Sequence, residues 1–245
     1  MIYAIRVDGH LDDHWSAWLG GDEMTRDGDG GSTVTVRVAD QAQLHGVLAA
    51  LRDIGAVITE LRATGAPAAP SLERPLRTAR LTLRPGAAGD AGATWAYRRL
   101  EPVNEWLDGT PADLDGYRAR FTEPARLAAT VIVALGERII GDFMLRREGA
   151  EAELGWVLDP AFTGHGYATE AVRELLRHCF QDLGVRRVTA NCYLGNDASW
   201  RLMERVGMRR EQHLVRESQH RSGEWLDTVG YAILAEEFAA DLLSP

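Results

Sequence analysis

The sequence predicts an α/β (α+β) protein of two unequal units, and three observations carry that expectation. Strand-like and helix-like stretches in residues 1–63 follow the order β-α-β-β-α-β. A stretch rich in Gly, Ala, Pro and Ser, from Thr64 to Ser71, comes next. Residues 76–245 then read as hairpins interrupted by one strand–helix–strand passage, which places a parallel pair in an otherwise antiparallel sheet. A chain of 245 residues accommodates one large domain or two unequal ones. The expected boundaries are a small unit at 1–63, a linker at 64–75 and a larger domain at 76–245.

In the small unit, Ile2 to Val7 is the first strand and His14 to Leu19 a short helix. Glu23 to Arg26 and Thr33 to Val38 flank Asp27-Gly28-Asp29-Gly30-Gly31, a hairpin turn by composition. Asp40 is placed to cap a helix carrying Leu44, Val47, Leu48 and Leu51, which Gly55 ends. Val57 to Leu61 is the last strand. The order is that of a ferredoxin-like fold. The Asp-rich turn lacks the full D-x-[DN]-x-[DN]-G spacing and its bidentate Glu, so it does not read as a calcium loop. The expected role of this unit is accessory, in dimerisation or in packing on the larger domain, and a homodimer is one arrangement it allows.

Composition removes several function classes. The formal net charge of -9 argues against non-specific nucleic-acid binding and suits a cationic partner such as an amine. No apolar run approaches about 18 residues and no signal-peptide core is present, so the expectation is a cytoplasmic protein without membrane insertion. Two cysteines without C-x-x-C spacing imply neither a disulfide framework nor a zinc site. The seven histidines show no ligand spacing, and no metal is expected. All 27 basic residues are arginine, so no lysine of this chain can be modified.

In the larger unit, Thr78 to Pro85 alternates as a first strand. Asp90 to Phe121 is a helical region interrupted by Pro102 and Pro111. Its acidic residues Glu101, Glu105, Asp108, Asp113 and Asp115 form either a solvated face or an acidic lip over a site. Leu127 to Leu135 and Arg138 to Arg146 form a hairpin about Gly136-Glu137. Glu153 to Leu158 is the next antiparallel strand, ended by Asp159-Pro160, because proline removes a ladder donor. Thr163-Gly164-His165-Gly166 then offers free backbone N–H groups and tolerates positive φ. From Ala168 the apolar positions Ala171, Val172, Leu175, Leu176, Cys179, Phe180 and Leu183 mark one helix face, with Gly184 past its end. A strand, a glycine turn and a helix N-terminus make an anion site suited to phosphate or pyrophosphate. The spacing is neither G-x-G-x-x-G nor a P-loop. Val185 to Tyr193 is the parallel strand. Asn196 opens a short helix with Leu202, Met203 and Val206 inward, and Met208 to Glu217 and Leu226 to Leu234 close the sheet.

These residues resemble the acetyl-CoA signature R/Q-x-x-G-x-G/A of the GNAT superfamily of N-acetyltransferases, with Thr163, Gly166 and Ala168 at its defined positions. Gly166-Tyr167-Ala168-Thr169-Glu170-Ala171 and the opening Thr78-Ala79-Arg80-Leu81-Thr82-Leu83-Arg84-Pro85 are similar to the RimJ/RimL-type branch. The resemblance covers roughly residues 76 to 238. Thr163 departs from the Arg or Gln of the signature. The resemblance implies a GNAT fold: a mixed, mostly antiparallel sheet whose parallel strands, Glu153–Leu158 and Val185–Tyr193, splay apart. It implies acetyl-CoA as cosubstrate, held by Trp156, Val157 and Leu158 along the pantetheine arm, by Gly164, Gly166, Tyr167, Ala168 and Thr169 at the pyrophosphate, and by Asn196. His165 lies inside the turn, in a binding or a purely exposed role. An amide near Val157 would polarise the thioester carbonyl.

Acetyl transfer to an amine needs a neutral amine, a stabilised oxyanion and a proton for the departing thiolate. By the resemblance, Glu153 is the first candidate to act as base or orient water, against the plainer reading of an edge-strand charge; Asp142 is the second. The family's usual tyrosine acid falls at Met203, which cannot donate. Ser199, matching the serine of N-x-A-S, is the candidate donor to sulfur, with Tyr193 behind it; both Asn196 and Ser199 are also ordinary first-turn residues. The expected activity is acetyl transfer to a protein N-terminus or a small amine such as an aminoglycoside or amino acid. The alternative is a CoA-binding sensor or assembly module without catalysis.

Overall fold

The structure is a computed structural model and describes residues 2–9, 11, 21–26, 30–38, 41–63, 71–107, 109 and 111–242. The chain divides into two compact units, Met1–Ala68 and Ala69–Pro245.

In the first unit, β1 (Ile2–Val7), β2 (Gly21–Arg26), β3 (Ser32–Arg37) and β4 (Ile58–Ala63) form an antiparallel sheet in the order β2-β3-β1-β4. This is the arrangement that the β-α-β-β-α-β reading requires. Period-two alternation puts Ile5, Val7, Val34 and Val36 on one face, all fully buried, and the helix Gln41–Asp53 covers them with Leu44, Val47 and Leu51. Ser32 is buried but satisfied, accepting from Leu11 N–H and donating to Gly9 O, each at 3.0 Å. The helix expected at 14–19, the cap Asp40, Asp27 to Asp29 of the hairpin turn and linker residues 64–70 lie outside the described residues.

The second unit is built on an eight-stranded sheet in the order β11-β12-β10-β9-β8-β7-β6-β5. Its strands are β5 (Leu76–Arg77), β6 (Thr82–Pro85), β7 (Thr130–Leu135), β8 (Arg138–Glu148), β9 (Glu151–Leu158), β10 (Arg187–Tyr193), β11 (Arg209–Gln219) and β12 (Trp225–Leu234). Every neighbouring pair is antiparallel except β9 and β10. On one face the helix Tyr167–Arg177 buries Ala171, Val172, Leu175 and Leu176 completely, against Val131, Val133, Leu145, Leu154 and Val188. On the other face the helices Ala91–Arg98 and Leu114–Phe121 bring Tyr117 and Phe121 onto Ile132. Residues 131–133 of β7 thus supply both cores by simple alternation. Ser71, placed by composition in the linker, is held on this unit by its N–H to Ala128 O at 2.8 Å, and Leu72 is buried in the larger core.

Three elements differ from the sequence expectation for local reasons. Thr78 to Pro85 is not one strand, because the Thr78 hydroxyl accepts Leu81 N–H at 2.9 Å and turns the chain between β5 and β6. Leu127 to Leu135 is not all strand, because Pro124 at the first turn starts the short helix Pro124–Ala129 and β7 begins only at Thr130. The signature helix does not run regularly to Leu183. After Arg177 it widens into a π-type turn, His178–Asp182, in which Leu183 N–H reaches back to His178 O at 3.0 Å. Asp182 clamps that turn by accepting from His178 Nδ1 at 2.8 Å and Arg177 Nη2 at 3.0 Å.

Candidate active site

The parallel pairing of β9 with β10 ends early: only Glu151–Glu153 meet Arg187–Thr189. Beyond Glu153 the two strands diverge. β9 stays paired with β8 as far as Leu158. Asp159 N–H donates to Ile140 O at 2.8 Å, so the Ile140–Asp159 pair is of the hydrogen-bonding kind, and by alternation so is Asp142–Val157. The N–H and C=O of Val157 therefore face β8, whereas those of Trp156 and Leu158 face the open gap. Of the three residues expected along the arm, Trp156 and Leu158 thus leave their backbone groups open, and Val157 turns its own to β8. Gly141 permits this close pairing, since a Cβ there would stand 2.7 Å from Val157 O.

One cleft, of about 1640 Å³, opens on the face of the sheet that carries the signature helix. Gly164 (φ +78°) and Gly166 (φ +77°) turn the chain into that helix, and only the absence of a Cβ makes both left-handed positions inexpensive. The first-turn amides of Tyr167, Ala168 and Thr169 have no intrahelical acceptor, and all three residues line the cleft with Gly164 and Gly166. Trp156, Val157, Leu158, Asn196 and Ser199 complete it on the sheet side. His165 is exposed and lies outside this lining; its ring sits 5.7 Å from that of Tyr167. Arg80, Arg173, Arg177 and Arg205 stand around the cleft. Glu170 and Glu174 line it too, paired with Arg80 and Arg177. Amides at a helix N-terminus with Arg173 and Arg205 nearby suit an extended, phosphate-bearing ligand.

Arg80 was not singled out by sequence reasoning as a site residue. Its guanidinium lies 4.5 Å from the centre of the Tyr167 ring and donates through Nη1 to His165 O at 3.0 Å. It thus brings a positive charge to the turn where Thr163 carries none. The Thr163 hydroxyl is spent on Pro160 O at 2.9 Å. Nothing in the spacing of the glycine turn points to Arg80, which reaches it from 85 residues away.

A second cleft, of about 840 Å³, opens on the opposite face, between the sheet and the helices Leu114–Phe121 and Pro124–Ala129. Glu153, Gly155 and Val157 face it by alternation along β9. The two clefts share Trp106, Leu107, Trp156, Val157, Asn196 and Ser199. Trp106 packs over the junction, 6.3 Å from the Tyr193 ring, and Gly195 makes room for it: a Cβ there would lie 3.0 Å from Trp106 Cη2.

Ser199 is buried at the junction, its N–H bound to Asn196 Oδ1 at 3.3 Å, so Asn196 both caps the Asp197–Arg205 helix and fixes the serine. Burial pushes the nearby Cys192 thiol up, and Ser199 only partly offsets it. Tyr193 lines the second cleft with its hydroxyl turned to Ser218 Oγ at 3.3 Å. Met203 is completely buried in the core, away from both clefts. Glu153 stands where the strands part, paired with Arg146 at 3.2 Å and approached by Asn191 Nδ2 at 3.4 Å. Four residues of strand separate it from Val157, about 13 Å at roughly 3.3 Å per residue.

Asp142, the second candidate base, is instead a buried anchor. It accepts from Tyr97 Oη at 2.7 Å and from Arg98 Nε at 3.0 Å and Nη2 at 2.6 Å. Burial pulls the Arg98 guanidinium down, but Asp142 outweighs it and the net shift is up; burial and Asp142 together push the Tyr97 hydroxyl far up. The acidic lip does not form among the described residues. Glu101 pairs with Arg221, Asp115 with Arg118 at 2.9 Å, and Asp113 caps a helix through Gly116 N–H at 2.8 Å. None of these, nor Glu105, lines either cleft. No group of three or more metal-ligating side chains occurs among the described residues, and no helix there is long and apolar enough to cross a membrane.

A family model described as an acetyltransferase (GNAT) domain matches residues 80–209, and one described as a domain of unknown function, DUF8691, matches residues 2–62. The uncharacterized N-acetyltransferase YnaD of Bacillus subtilis is 38% identical over 86 residues, 35% of this chain and 50% of that protein, so the chain spans half of that relative's length. The uncharacterized N-acetyltransferase p20 of Bacillus licheniformis is 27% identical over 67% of this chain and 98% of its own. Among solved structures, a GNAT-family acetyltransferase from Bacillus anthracis superposes with a TM-score of 0.62 at 28% identity, covering 66% of this chain and 99% of its own. RimJ of Mycobacterium smegmatis, solved with CoA-disulfide, shares the fold at a TM-score of 0.55 and 24% identity, over 66% of this chain and 88% of its own.

Proposed function

The chain belongs to the GNAT family of N-acetyltransferases, and from that premise we propose that it passes the acetyl group of acetyl-CoA directly to a primary amine within a ternary complex. The observation that carries this reading is the meeting of two clefts, one on each face of the sheet, at Trp156, Val157, Asn196 and Ser199. The family uses acetyl-CoA, and the first cleft fits it: free amides and arginines for the phosphates, then an open strand edge for an extended arm. The second cleft takes the amine, a protein N-terminus or a small molecule.

Acetyl-CoA supplies an activated acetyl thioester; the remaining demands fall on the protein. The amides of Tyr167, Ala168 and Thr169 and the Arg80 guanidinium bind the pyrophosphate. The backbone of Trp156 and Leu158 receives the pantetheine arm as a further strand, and an amide of that edge polarises the thioester carbonyl. Ser199 stands where the two clefts meet and relays to the departing sulfur the proton that the acceptor nitrogen loses as the amide forms. An α-amino group, with an ordinary pKa of about 7.7–8.0, needs only mild help to lose its proton. Glu153 is too far along β9 to touch that amine, so it works through ordered water in the second cleft.

The test is an initial-rate study of thiol release with acetyl-CoA and an amine both varied, over a panel of N-terminal peptides and small amines. Intersecting double-reciprocal lines are expected. Parallel lines would contradict direct transfer, and no amine-dependent thiol release across the panel would contradict the transferase reading altogether.

A further inference from the structure

Four arginines and four carboxylates line the second cleft, but among the described residues only two of each are joined in ion pairs. Arg98 is matched by Asp142 at 2.6 Å and Arg146 by Glu153 at 3.2 Å. Arg120 and Arg126 also line the cleft, from the consecutive helices Leu114–Phe121 and Pro124–Ala129, and both are half-buried. Among the described residues neither forms an ion pair. Arg120 spends Nη1 on Gly109 O at 2.9 Å, and the Arg126 guanidinium makes no hydrogen bond there. Two further acids line the cleft, Glu123 and Glu217; both are exposed, and Glu217 is engaged by Thr228 Oγ1 at 3.1 Å at the β11–β12 end.

Holding like charges together, partly out of water and without a counter-ion, is unfavourable. Burial first, and then Arg98 and Arg120, push the Arg126 guanidinium down, only partly offset by Tyr117 and Asp142, yet an arginine stays charged at neutral pH. A planar anion accepting two parallel N–H bonds would relieve that arrangement. Arg98, which lines the same cleft as Arg126, is bonded to Asp142, and Asp142 is the register partner of Val157 at the junction of the clefts. The two arginines without an ion pair therefore line the same cleft as Val157 and Ser199.

We propose that Arg126, with Arg120, binds a carboxylate carried by the acceptor, so that the amine and an acidic group of one molecule are held together in the second cleft. This rests on the reading of that cleft as the acceptor's. The carboxylate has two sources, a free amino acid or an acidic residue near the start of a peptide.

The test uses the full chain saturated with CoA and follows, by calorimetric titration, the binding of N-acetylated products offered as acid and carboxamide pairs. N-acetyl amino acids and their amides probe the first source. N-acetylated tripeptides with Asp or Asn, Glu or Gln, at the second or third position probe the second. At least one acid should bind about tenfold or more tightly than its amide, as expected for hydrogen bonds to charged groups. Arg126→Gln should bring that ratio near one with CoA affinity unchanged, and Arg126→Lys should restore part of it. Arg118→Gln, which loses only an exposed pair with Asp115 outside the cleft, should leave the ratio unchanged. Because Arg126 forms no ion pair among the described residues, Arg126→Gln should not lower the melting temperature, which a structural role would. Equal affinities for acid and amide throughout, or no binding of any acid, would overturn the proposal. An acid preference without acetyl transfer to the matching free amines would defeat the acceptor reading and leave the carboxylate site standing.

Discussion

Arg80 and Glu170 tie the β5–β6 hairpin to the first turn of the signature helix: Arg80 Nε donates to Glu170 Oε2 at 2.6 Å and Arg80 N–H to Oε1 at 2.9 Å. Thr78 Oγ1 donates to the same carboxylate at 2.5 Å. Burial pushes the Glu170 carboxyl up, but these three donors outweigh it and hold it below its ordinary value. The glycine turn thus lies beside a charge fixed by another part of the chain.

Arg80→Ala should weaken acetyl-CoA binding about tenfold or more, the scale of a lost charge-assisted hydrogen bond. The pair is partly exposed, so its contribution to folding is small, and the melting temperature should change little. Titration calorimetry beside a thermal melt separates the two effects. An unchanged affinity would remove Arg80 from the phosphate site.

Ser199→Ala should lower kcat by about 10²-fold or more while leaving the acetyl-CoA dissociation constant within a few-fold, the pattern of a proton donor that acts late. Stopped-flow thiol release and equilibrium titration provide the two numbers. A parallel loss of affinity and rate would instead mark Ser199 as a packing residue of the junction.

Asp142→Asn should destabilise the fold without reshaping the pH profile of kcat/KM. The variant leaves the Arg98 charge buried and half-answered, and breaking such a pair costs about 3–5 kcal/mol. Urea titration measures the loss. A normal stability with one limb of the pH–rate profile missing would restore Asp142 as the base.

The strand, glycine turn and helix were legible in the sequence because their signals are local: proline after Leu158, glycines at positive φ, and apolar residues on one helix face. The phosphate-binding role proposed for them rests on the same stretch. The turn at Thr78, the helical start at Pro124 and the widened turn at His178–Asp182 were missed because each depends on one side chain competing for backbone or a neighbour. Arg80, Arg98 and Arg126 were invisible as site residues for a different reason. An arginine's role depends on which carboxylate lies beside it, and here the partners of Arg80 and Arg98 come from distant elements while Arg126 forms no ion pair among the described residues. The acidic stretch 101–115 shows the converse: among the described residues Glu101 and Asp115 pair with separate arginines and Asp113 caps a helix.

Asp182 should make stability fall in acid. Hydrogen bonds from Arg177 first and His178 next hold its carboxyl down to about 2, against an ordinary 3.8. A depressed carboxyl contributes stability that is fully present above the unfolded value and is lost as pH falls through the folded one. The stability gap between the wild type and Asp182→Asn should therefore be widest above pH 4 and shrink steadily toward pH 2. Urea titrations at pH 6, 4 and 3 would show it, and a gap independent of pH would contradict the assigned clamp.

The central claim is that the turn at Gly164–Gly166 holds the phosphates of acetyl-CoA, and calorimetric titration of the wild type and Gly166→Glu tests it most directly. The account predicts micromolar binding by the wild type. In the folded variant binding should be lost, because a carboxylate at this left-handed position brings strain, bulk and negative charge to the pyrophosphate. Equal affinity in the two proteins, or no binding by the wild type at millimolar acetyl-CoA, would contradict it.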